Sequence, residues 1–412
     1  MTESFEEYRH RVFDFLWREV EPLVDGIERS HAVPFELFAQ FRVHGLWGLV
    51  IPKDYGGRGL TTKQYLPFLA EMAKIGGVIR VILHVHNTAA RAVVHYGTAA
   101  QKARYLPRLA SGESSMSFAI TEPDSGSGAD VATFAERKGD HYLVNGTKHF
   151  ITNADFADLH LVCCRTNEAG GRRGFTALVI PKDTPGLAVE PMPPIMGNNG
   201  PPHCILRFHD ARVPADSLIG AEGDGLDVFL GELEPSRVFV AASSLGSAER
   251  ALEIALDYAK RRTTFGKPIA ARNGVRANLA DMATDVYGLK LMLDDCANKL
   301  DHGAACALEA SIVKLFGLDV VRRVTDKAME VLGGRGYFQN YPYPFERLYR
   351  EARINVLEEG TPTIQRLVIA RALLDASVPL SIGTLGSVAH PHGVDPATGT
   401  LPRGGAGDPR PA

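Results

Sequence analysis

His141-Tyr142-Leu143-Val144-Asn145-Gly146-Thr147-Lys148-His149-Phe150-Ile151 is the stretch on which the reading of this chain turns. It is rich in β-branched and aromatic residues, which fit a pleated, half-buried surface. Asn-Gly is the pair that two-residue hairpin turns favour, because both central positions there take positive φ. The stretch therefore predicts two antiparallel strands, His141–Val144 and Thr147–Ile151, joined at Asn145-Gly146. Short apolar runs bounded by Gly, Pro and Asn continue on both sides, as in Leu159–Arg165, Phe175–Ile180 and Cys204–Phe208. Residues 113–225 thus read as a middle antiparallel β domain.

Outward from this block the periodicity changes. Phe13, Leu16, Trp17 and Val20 recur at the spacing of one helix face, and residues 1–112 read as an N-terminal helical domain, broken at Pro52–Gly57 and Gly76-Gly77. Beyond the β block, Ser243–Arg261, Val275–Leu300 and Ala304–Leu332 are amphipathic and too long for strands. They make residues 226–376 a C-terminal, four-helix-bundle-like domain. The fold class is therefore α+β and multidomain, in the order α–β–α. Residues 377–412 are dominated by Gly, Pro, Ala and Ser, too little apolar surface to offset the entropy of ordering, and are expected to be a disordered tail.

Composition excludes several functions. A chain of 412 residues with 45% hydrophobic content can bury several cores. Lys and Arg number 45 against 48 Asp and Glu, interspersed, so nothing asks for nucleic acid or a membrane surface. No run approaches the length of a spanning helix. The acidic start Met1–Glu7 has no apolar core like that of a signal peptide, which leads to the expectation of a soluble, cytoplasmic protein. Cys163, Cys164, Cys204, Cys296 and Cys306 are odd in number and lack C-x-x-C spacing, so they read as buried thiols and not as a disulfide framework or metal site. Gly333-Gly334-Arg335-Gly336 does not follow a strand and is no dinucleotide fingerprint.

Phe118–Ser127 followed by Asn145–Asn153 resembles the middle domain of the acyl-CoA dehydrogenase family. Further matches follow in the family's order: Arg237, then Arg262–Lys267, then Leu332-Gly333-Gly334, then Glu359-Gly360-Thr361. The resemblance implies FAD-dependent α,β-dehydrogenation of an acyl thioester, on coenzyme A or on an acyl carrier protein. That chemistry needs a base for a weakly acidic α-proton, donors for a developing enolate oxygen and a hydride acceptor opposite the base.

Carried over residue by residue, the resemblance implies that Phe118, Ile120 and Thr121 line the flavin ring, and that Ser127 touches flavin or substrate. Read alone, Thr121-Glu122-Pro123 is equally a turn that ends a strand. Phe150-Ile151-Thr152 resembles the strand covering the flavin, with Phe where many members carry Trp. His149 is expected to point away from the face of Phe150. Arg262, Thr264 and Phe265 match residues that hold the FAD of a neighbouring subunit, and Glu330, Gly333 and Gly334 match a loop approaching it from another. Thr361 and Thr363 join the cofactor set. The implied assembly is a homo-oligomer, a dimer of dimers. Glu330 departs from the Gln common in the family and would be repelled by a pyrophosphate unless turned away.

Glu359 before Gly360-Thr361 resembles the catalytic Glu of the short- and medium-chain branch, and burial beside flavin and an apolar acyl chain is expected to raise its pKa in the complex. The position just before Arg237, where other members place the base, is Ser236. Glu234, Arg237 and Gly360 fall to the substrate side, with Arg237 expected to orient Glu359 or the thioester. Glu358 is expected to point elsewhere, and His84 and His86 read as core or pocket-wall residues. An electron-transfer flavoprotein is the implied electron acceptor. A flavin monooxygenase on the same fold, needing no carboxylate base, and a thioester-binding protein without turnover are the alternatives.

Overall fold

The computed structural model of the chain describes residues 3–126, 130–167 and 171–374. The expected disordered tail, and Ser127, lie outside them. Six helices come first: α1 (Phe5–Phe15), α2 (Glu21–Ser30), α3 (Phe35–Val43), α4 (Thr62–Ile75), α5 (Gly77–Tyr96) and α6 (Ala99–Ser111). Leu16–Val20, between α1 and α2, is a short π-helical segment. Leu16 and Val20 are fully buried, and Phe13 and Trp17 flank the core that they enter. Three helices begin in capping boxes, Ser4 with Glu7, Thr61 with Gln64 and Thr98 with Gln101, in which each side chain satisfies a backbone N–H the helix leaves unpaired.

The sheet contains β1 (Met116–Ala119), β2 (Phe134–Lys138), β3 (His141–Ile151), β4 (Leu159–Arg165), β5 (Phe175–Pro181), β6 (Leu187–Pro191), β7 (Cys204–Pro214) and β8 (Leu218–Ile219). Their order is β6-β7-β3-β2-β4-β5-β8, with β1 beside β4. Two expectations fail here. First, Asn145-Gly146 is not a hairpin turn but lies inside the continuous strand β3, where the pairing with β7 slips between Val144 and Gly146. The turn is at Gly139-Asp140, which joins Lys138 and His141 and has Gly139 at φ 64. Gly146 instead answers a close approach, since a Cβ there would stand 2.6 Å from Thr133 Cα. Asn145 is engaged across the sheet, accepting from Asp210 N at 2.8 Å and donating to Asp210 Oδ1 at 2.9 Å. Second, the sheet is mixed: β1 runs parallel to β4, because the chain makes the β2–β3 hairpin before returning beside β1.

The sheet's two faces bury different cores. Leu161 and Cys163 of β4 face α5, α6 and the start of α7, whereas Val162 and Cys164 face the opposite core with Val144, Leu178 and Leu206. All five cysteines are buried and free.

The C-terminal helices are α7 (Gly225–Arg261), α8 (Asn273–Asp301), α9 (Ala307–Leu332), α10 (Gly334–Tyr337), α11 (Phe345–Glu351) and α12 (Pro362–Leu374), with a two-stranded ribbon, β9 (Thr263–Thr264) and β10 (Lys267–Pro268), between α7 and α8. Ser243–Arg261 is thus the second half of a 37-residue helix. α7 packs closely on α4 because Gly246 lacks a side chain; a Cβ there would meet Ala70 O at 2.0 Å. α7, α9 and α5 converge on the turn before α12. Among the described residues no helix is long and apolar enough to cross a membrane.

Candidate active site

After the single 3-10 turn Ile354–Val356 the chain reverses through Leu357-Glu358-Glu359-Gly360. Glu359 has φ 55 and Gly360 φ 97. Such a conformation costs a non-glycine residue about 1–2 kcal/mol, so neighbours must hold it. Lys314 of α9, fully buried, donates through Nζ to Glu358 O and, at 2.8 Å, to Gly360 O. Gln365 Nε2, in the first turns of α12, reaches Glu359 O at 3.2 Å and Gly360 O at 3.1 Å. The carbonyls around Glu359 are therefore clamped by one cation and one amide.

The adjacent carboxylate is held elsewhere. Buried Arg80 of α5 takes both oxygens of Glu358, Nη2 to Oε1 at 2.5 Å and Nη1 to Oε2 at 3.0 Å, and reaches Asn355 Oδ1 at 2.9 Å. Glu359 instead turns its side chain between α5 and α7. Its Oε1 accepts from Ser236 Oγ at 2.5 Å and lies 3.1 Å from His84 Nε2, which is itself 3.0 Å from Ser236 Oγ. A carboxylate only accepts, so the geometry requires the Nε2–H tautomer or the imidazolium. Oε2 is buried and has no partner. Among the described residues the Glu359 N–H also has no acceptor, whereas Glu358 N–H is bonded to Ile354 O at 3.1 Å.

The protein's own groups shift the Glu359 carboxyl downward. Burial does push the Glu359 carboxyl up, but the His84 hydrogen bond and charge, the Lys314 cation and the Ser236 hydroxyl together outweigh it and hold the pKa below the ordinary value. His84, read as a core or pocket-wall residue, is a partner of the carboxylate. His86 is a core histidine, 3.2 Å from Leu109 O and accepting from Met116 N at 3.2 Å. Arg237 does not bond Glu359; its Nη1 donates to Ser311 Oγ at 3.2 Å. Burial depresses its pKa, with Glu234 and Glu359 opposing. Glu234 is half-buried, and burial raises its carboxyl against the pull of Arg237.

The strand residues expected to line a flavin are anchored by a contact that sequence reasoning missed. Lys148, fully buried, bonds Ile120 O at 3.1 Å and Glu122 Oε1 at 2.8 Å, and Glu122 accepts from Ala132 N at 2.7 Å and Thr133 N at 2.8 Å. The Thr-Glu-Pro turn is thereby fixed, with Thr121 Oγ1 donating to Gly126 O at 2.8 Å. Phe118 packs on Phe229 of α7 at 4.5 Å between ring centroids. Phe150 has φ 60 and is 58% exposed. That φ breaks the strand's alternation, so His149 does not point away; its ring lies 4.2 Å from that of Phe150. Ile151 is buried, Thr152 half-buried, and Asn153 Nδ2 donates to Ile82 O at 2.9 Å, tying this turn to the helix that carries His84. An uncovered aromatic face beside Thr hydroxyls fits a flat heteroaromatic ring with polar edges.

The remaining residues stand apart. Arg262, Glu330, Gly333, Gly334, Thr361 and Thr363 are exposed, and Thr264 is half-buried. Phe265 is 96% exposed at φ 49, with Arg272 over its ring at 5.4 Å. A Cβ on Gly333 or Gly334 would meet nothing within 4 Å, so the backbone there is open to close approach.

Three family models match the chain in succession: acyl-CoA dehydrogenase, N-terminal domain, over residues 2–113; the middle domain over 117–211; and the C-terminal domain over 223–374. An acyl-CoA dehydrogenase of Bacillus subtilis is 39% identical over 368 residues, 89% of this chain and 97% of that one. An acryloyl-CoA reductase (NADH) of Anaerotignum propionicum is 36% identical over 377 residues, 91% of this chain and 95% of that one. The solved butyryl-CoA dehydrogenase of Megasphaera elsdenii superposes with a TM-score of 0.85 at 31% identity, covering 91% of this chain and 99% of that one.

Proposed function

The chain belongs to the acyl-CoA dehydrogenase family of oxidoreductases, and from that premise we propose that it dehydrogenates an acyl thioester at Cα–Cβ with Glu359 as base. The observation that carries the assignment is the Glu359 carboxylate, held at one oxygen by two donors and bare at the other, which is buried. FAD, when bound, supplies the acceptor for the hydrogen and electron pair that leave Cβ. Phe118, Ile120, Thr121, Phe150, Ile151 and Thr152 would hold its ring, the hydroxyls at the polar edge and Phe150 as the wall. Thr361 and Thr363 belong to the same set.

Glu359 takes the α-proton, and the electron pair left behind becomes the new double bond. The free Glu359 N–H is the donor available to the thioester oxygen as charge develops there. Arg237 and Glu234, half-buried beside the turn, lie on the substrate side with Gly360. Arg262, Thr264, Phe265, Glu330, Gly333 and Gly334 act on the cofactor of neighbouring copies in a dimer of dimers. The nearly complete exposure of Phe265 supports that use. Electrons then pass to an electron-transfer flavoprotein.

The test mixes FAD-loaded protein anaerobically with a panel of acyl thioesters and follows bleaching of the flavin band. At least one thioester bleaches the unaltered chain, and Glu359→Gln slows that bleaching by at least about a hundredfold. Equal bleaching in Glu359→Gln removes it as the base. Bleaching by no thioester, together with an oxygenated product under air, would replace the dehydrogenase by a monooxygenase.

A further inference from the structure

We infer that His84 and Ser236 are positioning residues that dedicate the two oxygens of Glu359 to different tasks, Oε1 to anchoring and Oε2 to carrying the substrate proton. The inference rests on Glu359 being the base and goes beyond it, to a particular oxygen and to two residues on other helices. Ser236 Oγ at 2.5 Å and His84 Nε2 at 3.1 Å converge on Oε1, and they are 3.0 Å from each other. Both residues are buried, as is Oε2, which has no partner. A buried carboxylate oxygen left bare is unfavourable unless something else fills its place. Of the two oxygens, Oε2 is therefore the one left to take the α-proton.

Among the described residues, the other charged and titratable groups around the turn make no hydrogen bond to the Glu359 carboxylate, although Lys314 and Arg237 interact with it through charge. Arg80, on the same helix as His84, is taken by Glu358 and Asn355. Lys314 of α9 bonds two carbonyls, and Arg237 of α7 bonds Ser311 through Nη1 while its buried Nε has no partner. Tyr65 of α4 is buried with its hydroxyl unbonded. Among the described residues, His84 is therefore the titratable side chain within hydrogen-bond distance of Glu359. Its ring is confined edge-on by Phe239, 6.0 Å away at 85°, and its Nδ1 lies 3.5 Å from Thr88 Oγ1. With the buried ring between these neighbours and the serine on α7, both donors meet the carboxylate at Oε1.

Two donors on Oε1 favour the ionised base before reaction, and the same two bonds return Glu359 to one rotamer once the proton has left Oε2. Removing either donor weakens what opposes burial, so that the base holds its proton to higher pH and samples rotamers aimed away from the substrate. Glutamine at position 84 keeps an amide N–H near the site of Nε2 and retains the anchor.

The experiment compares FAD-loaded unaltered protein with His84→Leu, His84→Gln, Ser236→Ala and Glu359→Gln. The thioester is the one that bleaches the unaltered protein fastest, and bleaching is followed along the acid limb of its pH profile. The carboxyl infrared band, assigned by its loss in Glu359→Gln, is titrated in the same proteins without substrate. His84→Leu and Ser236→Ala should move the kinetic limb and the infrared titration upward together by roughly one pH unit, the size of one charge-assisted hydrogen bond. They should leave thioester affinity unchanged, and His84→Gln should lie near the unaltered protein in both readouts. If His84→Leu does not fold, the contrast between Ser236→Ala and His84→Gln decides. An acid limb and carboxyl titration that stay in place in folded, flavin-loaded Ser236→Ala and His84→Leu overturn the inference while leaving the base intact. Bleaching that survives Glu359→Gln overturns the base itself.

Discussion

Replacing Lys314 by Met separates the stability of this protein from its reactivity. The Lys314 side chain is fully buried, and burial, only partly opposed by Glu359 and Glu358, pushes its amine from the ordinary 10.5 down to about 8. That displacement corresponds to about 3 kcal/mol by which the charged amine is less favourable here than in water. Methionine fills a similar volume without a charge, and the relief of about 3 kcal/mol offsets a cost of about 1–3 kcal/mol for leaving Glu358 O without this donor, so Lys314→Met should leave the melting temperature near that of the unaltered protein. What it removes is the hold on Glu358 O and Gly360 O. Gln365 is then the side chain left on the Glu359 and Gly360 carbonyls, at a turn where Glu359 takes φ 55, a conformation that by itself costs about 1–2 kcal/mol. Losing about 1.5–3 kcal/mol of constraint, the worth of one hydrogen bond to a charged group, should lower the population with the base in place and slow anaerobic bleaching by about ten- to a hundredfold. In the unaltered chain bleaching should also decline above about pH 8 as Lys314 loses its proton, and this decline should vanish in Lys314→Met. Calorimetry and stopped-flow absorbance measure the two quantities. A bleaching rate within about twofold of the unaltered protein would refute the clamp, and a large fall in melting temperature would refute the balance assigned to the buried amine.

Lys148 should behave oppositely, because its partner is a carboxylate. Lys148→Met strands Glu122 between Ala132 N–H and Thr133 N–H and should cost about 3–5 kcal/mol, visible as a lower melting temperature and weaker flavin retention; an unchanged melting curve would contradict the pairing. Acid should destabilise the fold through two buried histidines, whose pKa values burial pushes from 6.5 to about 4 at His86 and about 3 at His160. The folded values lie below the unfolded one, so the folded chain binds fewer protons and stability is lost as pH falls below 6.5. At about pH 5 each histidine should contribute a loss of about 2 kcal/mol. Melting temperatures in His86→Asn and His160→Asn should therefore depend less on pH between about 7 and 5, and slopes equal to the unaltered protein's would count against the assignment.

The three-part layout was legible because its signals are local. The periodicity of Leu16 and Val20, the long amphipathic runs of α8 and α9 and the β-branched strands each report the backbone state of their own segment. Asn145-Gly146 misled because the same pair serves a tight turn and a bulge, and here Gly146 lies against Thr133, just before the neighbouring strand β2. His149 misled because alternation assumes negative φ at the next residue, and Phe150 has φ 60.

Sequence by itself determined that a Glu precedes Gly-Thr at 359–361, after a helix and before another, within an ordered series of family motifs. It could not determine how that carboxylate is held. His84 and Ser236 lie 275 and 123 residues before Glu359, and Lys314 is 44 residues before Glu358. No local pattern joins such positions, since hydrogen bonds between them exist only once α5, α7 and α9 have packed around the turn. Tertiary structure alone decided that Oε1 is anchored, that Oε2 is bare, and that the carboxyl's pKa lies below its ordinary value when burial by itself would have raised it.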